Sequence, residues 1–264
     1  ALLKGKSDEQ LMRLPTMKND LQYAVLQMLN VMYLSCLIQR PTLAAVVSLK
    51  LINITLKHGN SVLSCIAFSA YAMFLVAAGD TEGAIRYGEL SLKLLESCGS
   101  IEYLPRVYAG VYGVIYSWRF PSRDALDNLL QGYYVGLQTG DKEFACLCAN
   151  GFCFTALDSG TRILEVLEKY ETFQTSMVTN HQRKLLNMIS PFVQAIRTYA
   201  DSNGDPLAYQ SYVTNHTITE IKSSNDVEIL FACMMICYVF SDYERAASFL
   251  HSFNHVSLVV PSFN

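Results

Sequence analysis

Between Gly79 and Glu96 the sequence reads GDTEGAIRYGELSLKLLE, and its charges fall on one stripe: Glu82, Arg86, Glu89, Lys93 and Glu96. Steps of three and four residues put those side chains on one face of a helix. Ala84, Ile85, Tyr87, Leu92, Leu94 and Leu95 cover the other faces and require neighbours to pack on. Glu82 to Arg86 and Glu89 to Lys93 are acid-first pairs one turn apart, each predicted to add about 0.2–0.5 kcal/mol to an exposed helix. The preceding run, Ser61 to Ala78, is apolar nearly all round and predicts a buried helix. A buried helix, a Gly-Asp turn and an amphipathic helix form one helical hairpin, the unit of an α-solenoid.

The same pattern extends along the chain. Residues 1–17 read as an incoming linker with a short helical piece, Asp8 to Leu14, stopped by Pro15. Helices follow over Asn19 to Gln39 and Leu43 to Lys57. Turn signals then fall at Gly59, Gly79, Gly99, Pro121, Gly140 and Gly160. Their spacing of about 20 residues holds a helix of about 16 residues, roughly 24 Å long, and a short turn. Two steps make a hairpin of about 40 residues, in the range of helical repeats.

The helices near Leu63–Ala78, Leu104–Trp118 and Phe144–Leu157 are the more apolar. Those near Glu82–Glu96, Arg123–Gln138 and Arg162–Thr175 carry wet faces, as alternate inner and outer helices should. Beyond that the rhythm loosens. A helix over His181 to Ala200 is expected to kink at Pro191, a loop spans 201–206, and 207–224 is weakly patterned. One more hairpin, Asp226–Phe240 and Asp242–Phe253, precedes a tail over 255–264. The expected fold is therefore all-α, an α-solenoid of antiparallel helical hairpins over residues 18–254 with a less regular loop near 201–224.

Composition narrows the picture in two ways. Of 264 residues, 51% are hydrophobic and 16% charged, which excludes a disordered chain and supplies a large core. The net charge of -3 gives no basis for nucleic acid or an anionic membrane as partner. Two uncharged stretches, Leu21–Gln39 and Gly59–Gly79, approach the length of a membrane span. Their serines, glutamines and asparagine, each a short turn from an amphipathic partner, place buried solenoid helices first and spans second. The eight cysteines sit mostly inside apolar helical runs, which suits a reducing, cytoplasmic compartment.

Candidate chemistry is sparse. Gly5-Lys6-Ser7 resembles the end of a phosphate-binding loop, but no strand leads into it and Asp8-Glu9 would set carboxylates beside a phosphate. Cys146, Cys148 and Cys153, and the pair Cys233 and Cys237, lack the turn-borne knuckle spacing of a zinc site and read as small core residues. His251 and His255 stand four apart without the glutamate that an HExxH helix needs. Gly132 and Gly136 lie in a helix that carries Arg123, Asp124 and Asp127, so close helix packing explains them better than a membrane dimer motif. Tyr103, Tyr108, Tyr112, Tyr116, Tyr133 and Tyr134 gather around the middle hairpin. Core is the first reading for each tyrosine, and the lining of a concave groove the second. The residues point to no catalytic, cofactor-binding or metal-binding set.

Several stretches carry a resemblance: Leu14-Pro15-Thr16-Met17, then KHGNSVLSCIAFSAYAMFLVAAGDTEGAIRYGELSLKLLES, then SWRFPSRDALDNLLQGYYVGLQTGDKEFACLCANGFCF, and CYVFSDYERAA near the end. In them the chain resembles the TPR-like helical region of very large signalling proteins. Those proteins join a serine/threonine kinase domain, a STAND-type AAA ATPase, this helical region, a GAF domain and a histidine kinase. The family often has His-Trp before the proline of the middle turn; here the turn is Ser117-Trp118-Arg119-Phe120-Pro121, and only the tryptophan is kept. None of the matching motifs is catalytic. The resemblance implies a cytoplasmic, non-catalytic regulatory region that binds neighbouring ATPase or kinase modules, or a signalling partner. A stand-alone TPR-type adaptor for peptide segments is the alternative.

Overall fold

The computed structural model describes residues 3, 5–203, 205, 207–214 and 227–256, with the side chains of 227, 228 and 252–256 excepted. Among the described residues there are thirteen α-helices and no strand. They are α1 (Asp8–Met12), α2 (Asp20–Gln39), α3 (Pro41–His58), α4 (Ser64–Ala77), α5 (Thr81–Cys98), α6 (Leu104–Gly110), α7 (Leu126–Thr139) and α8 (Lys142–Asp158), followed by α9 (Ile163–Thr179), α10 (Arg183–Ala200), α11 (Tyr209–Thr214), α12 (Val227–Val239) and α13 (Tyr243–Val256). The all-α class is thus established. The chain divides into two compact units, Ala1–Thr155 and Ala156–Leu258 in their described parts.

In the first unit, consecutive helices pack as antiparallel neighbours: α2 on α3, α3 on α4, α4 on α5 and α6 on α7. The reason is visible in the side chains. The α3 helix buries Ala44, Val47, Ser48, Leu51, Ile52 and Thr55, a single stripe at helical spacing. Buried residues lie all around α4, among them Cys65, Phe68, Ala72 and Val76, so it forms the middle of the unit. The α5 helix buries Ala84, Ile85, Leu90, Leu94 and Leu95 and leaves Glu82, Glu89, Lys93 and Glu96 in water, as its sequence stripe predicts. The charges pair differently from the expectation, however. Arg86 reaches Asp8 at 2.7 Å, and Glu82 pairs with Arg119.

The first seventeen residues are more than an incoming linker. Ser7 caps α1 through a capping box with Gln10, and Leu11 is fully buried. The Asn60 side chain donates to the carbonyls of Leu11 and Met12, while Met17 N–H donates to Asn60 O at 2.7 Å. Gly59, at φ 101°, lies so close to this strap that a Cβ there would stand 2.0 Å from Pro15 O. Only glycine fits both the turn and the approach. The Gly132/Gly136 expectation also resolves into packing. A Cβ at 132 would meet Cys148 Sγ at 2.6 Å, and one at 136 would meet Ala145 Cβ at 2.8 Å, so α7 and α8 touch along their small residues.

Among the described residues only Asp20–Gln39 is long and apolar enough to cross a membrane. It buries Leu26, Tyr33, Leu34 and Cys36 and exposes Leu21, Met28, Val31 and Met32. The other uncharged stretch yields α4, whose 14 residues span about 21 Å and fall short of a bilayer core.

In the second unit, α9 packs on α10, α10 on α12, and α12 on α13. Val166, Tyr170, Phe173 and Met177 form the buried stripe of α9, and Leu185, Ile189, Phe192 and Ile196 that of α10. Pro191 lies inside α10, and its carbonyl accepts a hydrogen bond from Tyr212 Oη of α11 at 2.9 Å. Turns continue beyond the point where the glycines stop. Positive φ occurs at Gly59, Gly79, Gly99, Gly140 and Gly160, and then at His181, Asn203 and Ser241. The expected loop near 201–224 falls partly on α11 and partly, like residues 257–264 of the tail, outside the described residues.

Candidate functional site

The segment expected as one helix over Leu104–Trp118 is three pieces in succession. The α6 helix ends at Gly110, Val111–Ile115 is a π-helical turn, and Tyr116–Trp118 is 3-10 helix. At the change from α-helix to π turn, Gly110 packs so near Ser69 of α4 that a Cβ would stand 2.5 Å from its Oγ. Helices in which a π turn is inserted frequently carry function, because the extra residue re-aims side chains.

Here the re-aimed side chains are aromatic. Tyr108, Tyr112, Tyr116 and Phe120 follow one another at four-residue steps, each half-buried. Their ring centroids are 4.9, 5.2 and 4.7 Å apart. In a straight α-helix each four-residue step overshoots a 3.6-residue turn by about 40°, and a row of four would wind away. The wider π turn absorbs part of that drift and keeps the rings in a ladder.

Two of its rings, Tyr108 and Tyr112, face α5. Between them lies a groove of about 560 Å³, bounded on α5 by Glu89, Lys93 and Glu96 and on α6 and the π turn by Tyr108 and Tyr112. The turn Gly99-Ser100-Ile101 forms one end. Towards the other end of α5, Glu82 pairs with Arg119. Burial pushes the Tyr112 phenol up to about 12, with Tyr108 and Tyr116 adding to the rise. Burial, and then the Glu96 carboxylate, raises Tyr108. Both phenols are therefore neutral hydrogen-bonding groups at pH 7. The surface offers aromatic faces, two carboxylates and one ammonium, a combination that suits contact with a polypeptide.

Arg106 Nε meets Asp141 Oδ2 at 2.6 Å with both side chains largely covered, and the guanidinium lies 4.7 Å above the Phe144 ring. That ion pair ties α6 to the turn before α8. Sequence reasoning did not find it, because the partners are far apart in the chain and nothing local links them.

The other sequence candidates dissolve into structure. Gly5-Lys6-Ser7 makes a turn and the cap of α1, and Lys6 O accepts from Arg86. Cys146, Cys148 and Cys153 are buried within α8. Burial, then the Glu143 carboxylate, raises Cys146 to about 11, and burial raises the other two further. Cys233 and Cys237 are buried in α12, raised to about 12 and about 11 chiefly by that burial. No group of three or more His, Cys, Asp and Glu side chains suited to a metal ion occurs among the described residues. His251 is exposed, and the His255 side chain lies outside the described residues. Of the tyrosines singled out, Tyr133 is buried as core and Tyr134 is exposed. Tyr103 is half-buried and packs against the first unit's core.

Comparison with known protein families, with curated proteins and with solved structures finds no match to the chain.

Proposed function

We propose that this chain is a non-catalytic protein-interaction and regulatory region, built as TPR-like helical hairpins, within a multidomain signal-transduction kinase and ATPase. The observation that carries the reading is the groove in which half-buried Tyr108 and Tyr112 face the wet stripe of α5. Aromatic side chains supply contact area with little rotamer entropy to lose, and the flanking Glu89, Lys93 and Glu96 add orientation. The positive-φ turns at steps of about 20 residues support the repeat, since two such steps match a helical-repeat hairpin. A solenoid couples modules well because each repeat touches mainly its neighbours and leaves a long surface for recognition.

In this reading the partners are the neighbouring ATPase or kinase modules of the same polypeptide, or a signalling protein, in the cytoplasm. Catalysis belongs to the flanking modules. The test is to read the gene on both sides of residues 1–264. Kinase and P-loop motifs upstream with a histidine-kinase core downstream are the expected result. A start codon directly before Ala1 and a stop directly after Asn264 would remove the kinase context and leave a stand-alone adaptor that binds peptide segments.

A further inference from the structure

The outer face of α5 carries Glu82, Glu89, Lys93 and Glu96. The outer face of α2 carries no charge at all between Leu21 and Gln39. It is instead a seam of Leu21, Ala24, Met28, Val31, Ser35 and Ile38, all exposed, with exposed Met32 at its side. Leu21, Met28 and Val31 leave 70%, 66% and 72% of their surface in water. The buried Leu26, Asn30, Tyr33 and Leu34 lie on the opposite side of the helix, and α3 is the helix on which α2 packs. The seam advances by alternate steps of three and four residues. That is the spacing by which one helix takes a second along its length.

We propose that α2 is a homodimer interface, pairing antiparallel with α2 of a second copy of this chain about a two-fold axis at the helix midpoint.

The seam is complementary to itself when reversed. The midpoint of Asp20–Gln39 falls between Leu29 and Asn30. Turning the helix about that point sets Leu21 opposite Ile38, Ala24 opposite Ser35 and Met28 opposite Val31 of the second copy. Large side chains meet large ones and small meet small. An interface between identical copies needs this, because one patch must serve both sides.

Charge selects the same direction. Asp20 is the only charge in the helix, and Arg40 is its C-cap. Twenty residues of helix separate them by about 30 Å, so they cannot meet within one copy. Neither forms an ion pair among the described residues. Antiparallel pairing carries each Asp20 to the end of the other helix where Arg40 stands, and it opposes the two helix dipoles. Parallel pairing would set Asp20 beside Asp20 and Arg40 beside Arg40.

The area is sufficient. Each copy leaves several hundred Å² of apolar side chain in water along the seam, and covering it on both copies with its flanks reaches the roughly 1,000 Å² of a specific interface. A lipid surface would favour Lys and Arg beside such a face. The exposed flanking positions hold Gln27, Met32 and Gln39. The seam shares no residue with the tyrosine-lined groove, so this inference and the recognition reading stand or fall separately.

The experiment is sedimentation velocity of the intact chain over a concentration series, beside Val31→Glu. The unmodified chain should pass from monomer to dimer as concentration rises. Val31→Glu, which brings two carboxylates close to the axis, should weaken the dimer about tenfold or more while the helical circular dichroism is unchanged. Cross-linking reads the direction without that variant. Leu21→Cys chains mixed with Ile38→Cys chains should form a disulfide-linked pair under mild oxidation. Leu21→Cys alone should give no more cross-linked dimer than the unmodified chain, because its two copies would stand about 25 Å apart. A chain that stays monomeric throughout the series would overturn the proposal, as would a dimer that Val31→Glu leaves intact. Self-linking of Leu21→Cys would overturn it in favour of parallel pairing. A monomer that floats with phosphatidylcholine vesicles would overturn it in favour of a lipid surface.

Discussion

Thr81–Cys98 and Leu104–Trp118 occupy adjacent steps of the same helical rhythm, yet they are built differently. The first is an unbroken α-helix, capped by the Asp80 side chain on Gly83 N–H at 2.9 Å and ended by Gly99 at φ 62°. The second passes from α-helix through a π turn to 3-10 helix. Each helps to bury the same core through Leu90, Leu94, Val107, Val111 and Ile115. The difference is on their outward sides. The regular helix presents solvated charges, and the irregular one presents a line of half-buried rings. Regularity here makes the frame, and the interruption lines up the rings that form one wall of the groove.

That contrast can be broken at several points. The largest effect should come from Phe68→Ala in α4, on which the regular hairpin rests. Phe68 is fully buried and stacks on Tyr87 of α5. Urea unfolding should report a loss of about 3–5 kcal/mol, and a loss near zero would mean that the hairpin is not the frame. A smaller effect, of opposite sign, is expected for Gly113→Ala inside the π turn. Its added Cβ would meet only Leu129 Cδ2, at 3.8 Å. The variant should gain about 0.5–1 kcal/mol in helix propensity, so long as packing rather than backbone freedom holds the π turn. A net loss would show that glycine at 113 is required for the ladder. Smallest of all is Glu82→Ala. The Glu82–Arg119 pair is open to solvent, with side chains 79% and 42% exposed, and its removal should cost below about 0.5 kcal/mol.

Much of this frame was legible in the sequence. The α5 stripe, the burial of α4 all round and the glycine turns follow from periodicity and from the conformational demands of a tight reversal. The turns at Asn203 and Ser241 fall in the expected loop over 201–206 and between the two helices of the last hairpin, although no glycine takes their positive φ; the turn at His181 had no such mark. The π turn was hidden because Val111–Ile115 has no residue that a plain helix would refuse. Arg86 and Glu82 were assigned to each other because only local partners can be read along a chain. In the folded unit, α1 and the 3-10 turn at Tyr116–Trp118 bring Asp8 and Arg119 within reach. The tyrosine cluster was visible as composition, but its alignment into a ladder depends on the π turn.

The most direct measurement is selection of a displayed random-peptide library on the immobilised chain, with each enriched peptide then titrated against the unmodified chain, Tyr112→Ala and Lys93→Glu. If the groove is the recognition surface, the selected peptides should bind the unmodified chain and lose about tenfold or more in affinity with Tyr112→Ala, equivalent to about 1.4 kcal/mol. Lys93→Glu, on an exposed side chain that leaves the fold untouched, should shift which peptides bind. Selected peptides that bind both variants as well as the unmodified chain would contradict that assignment.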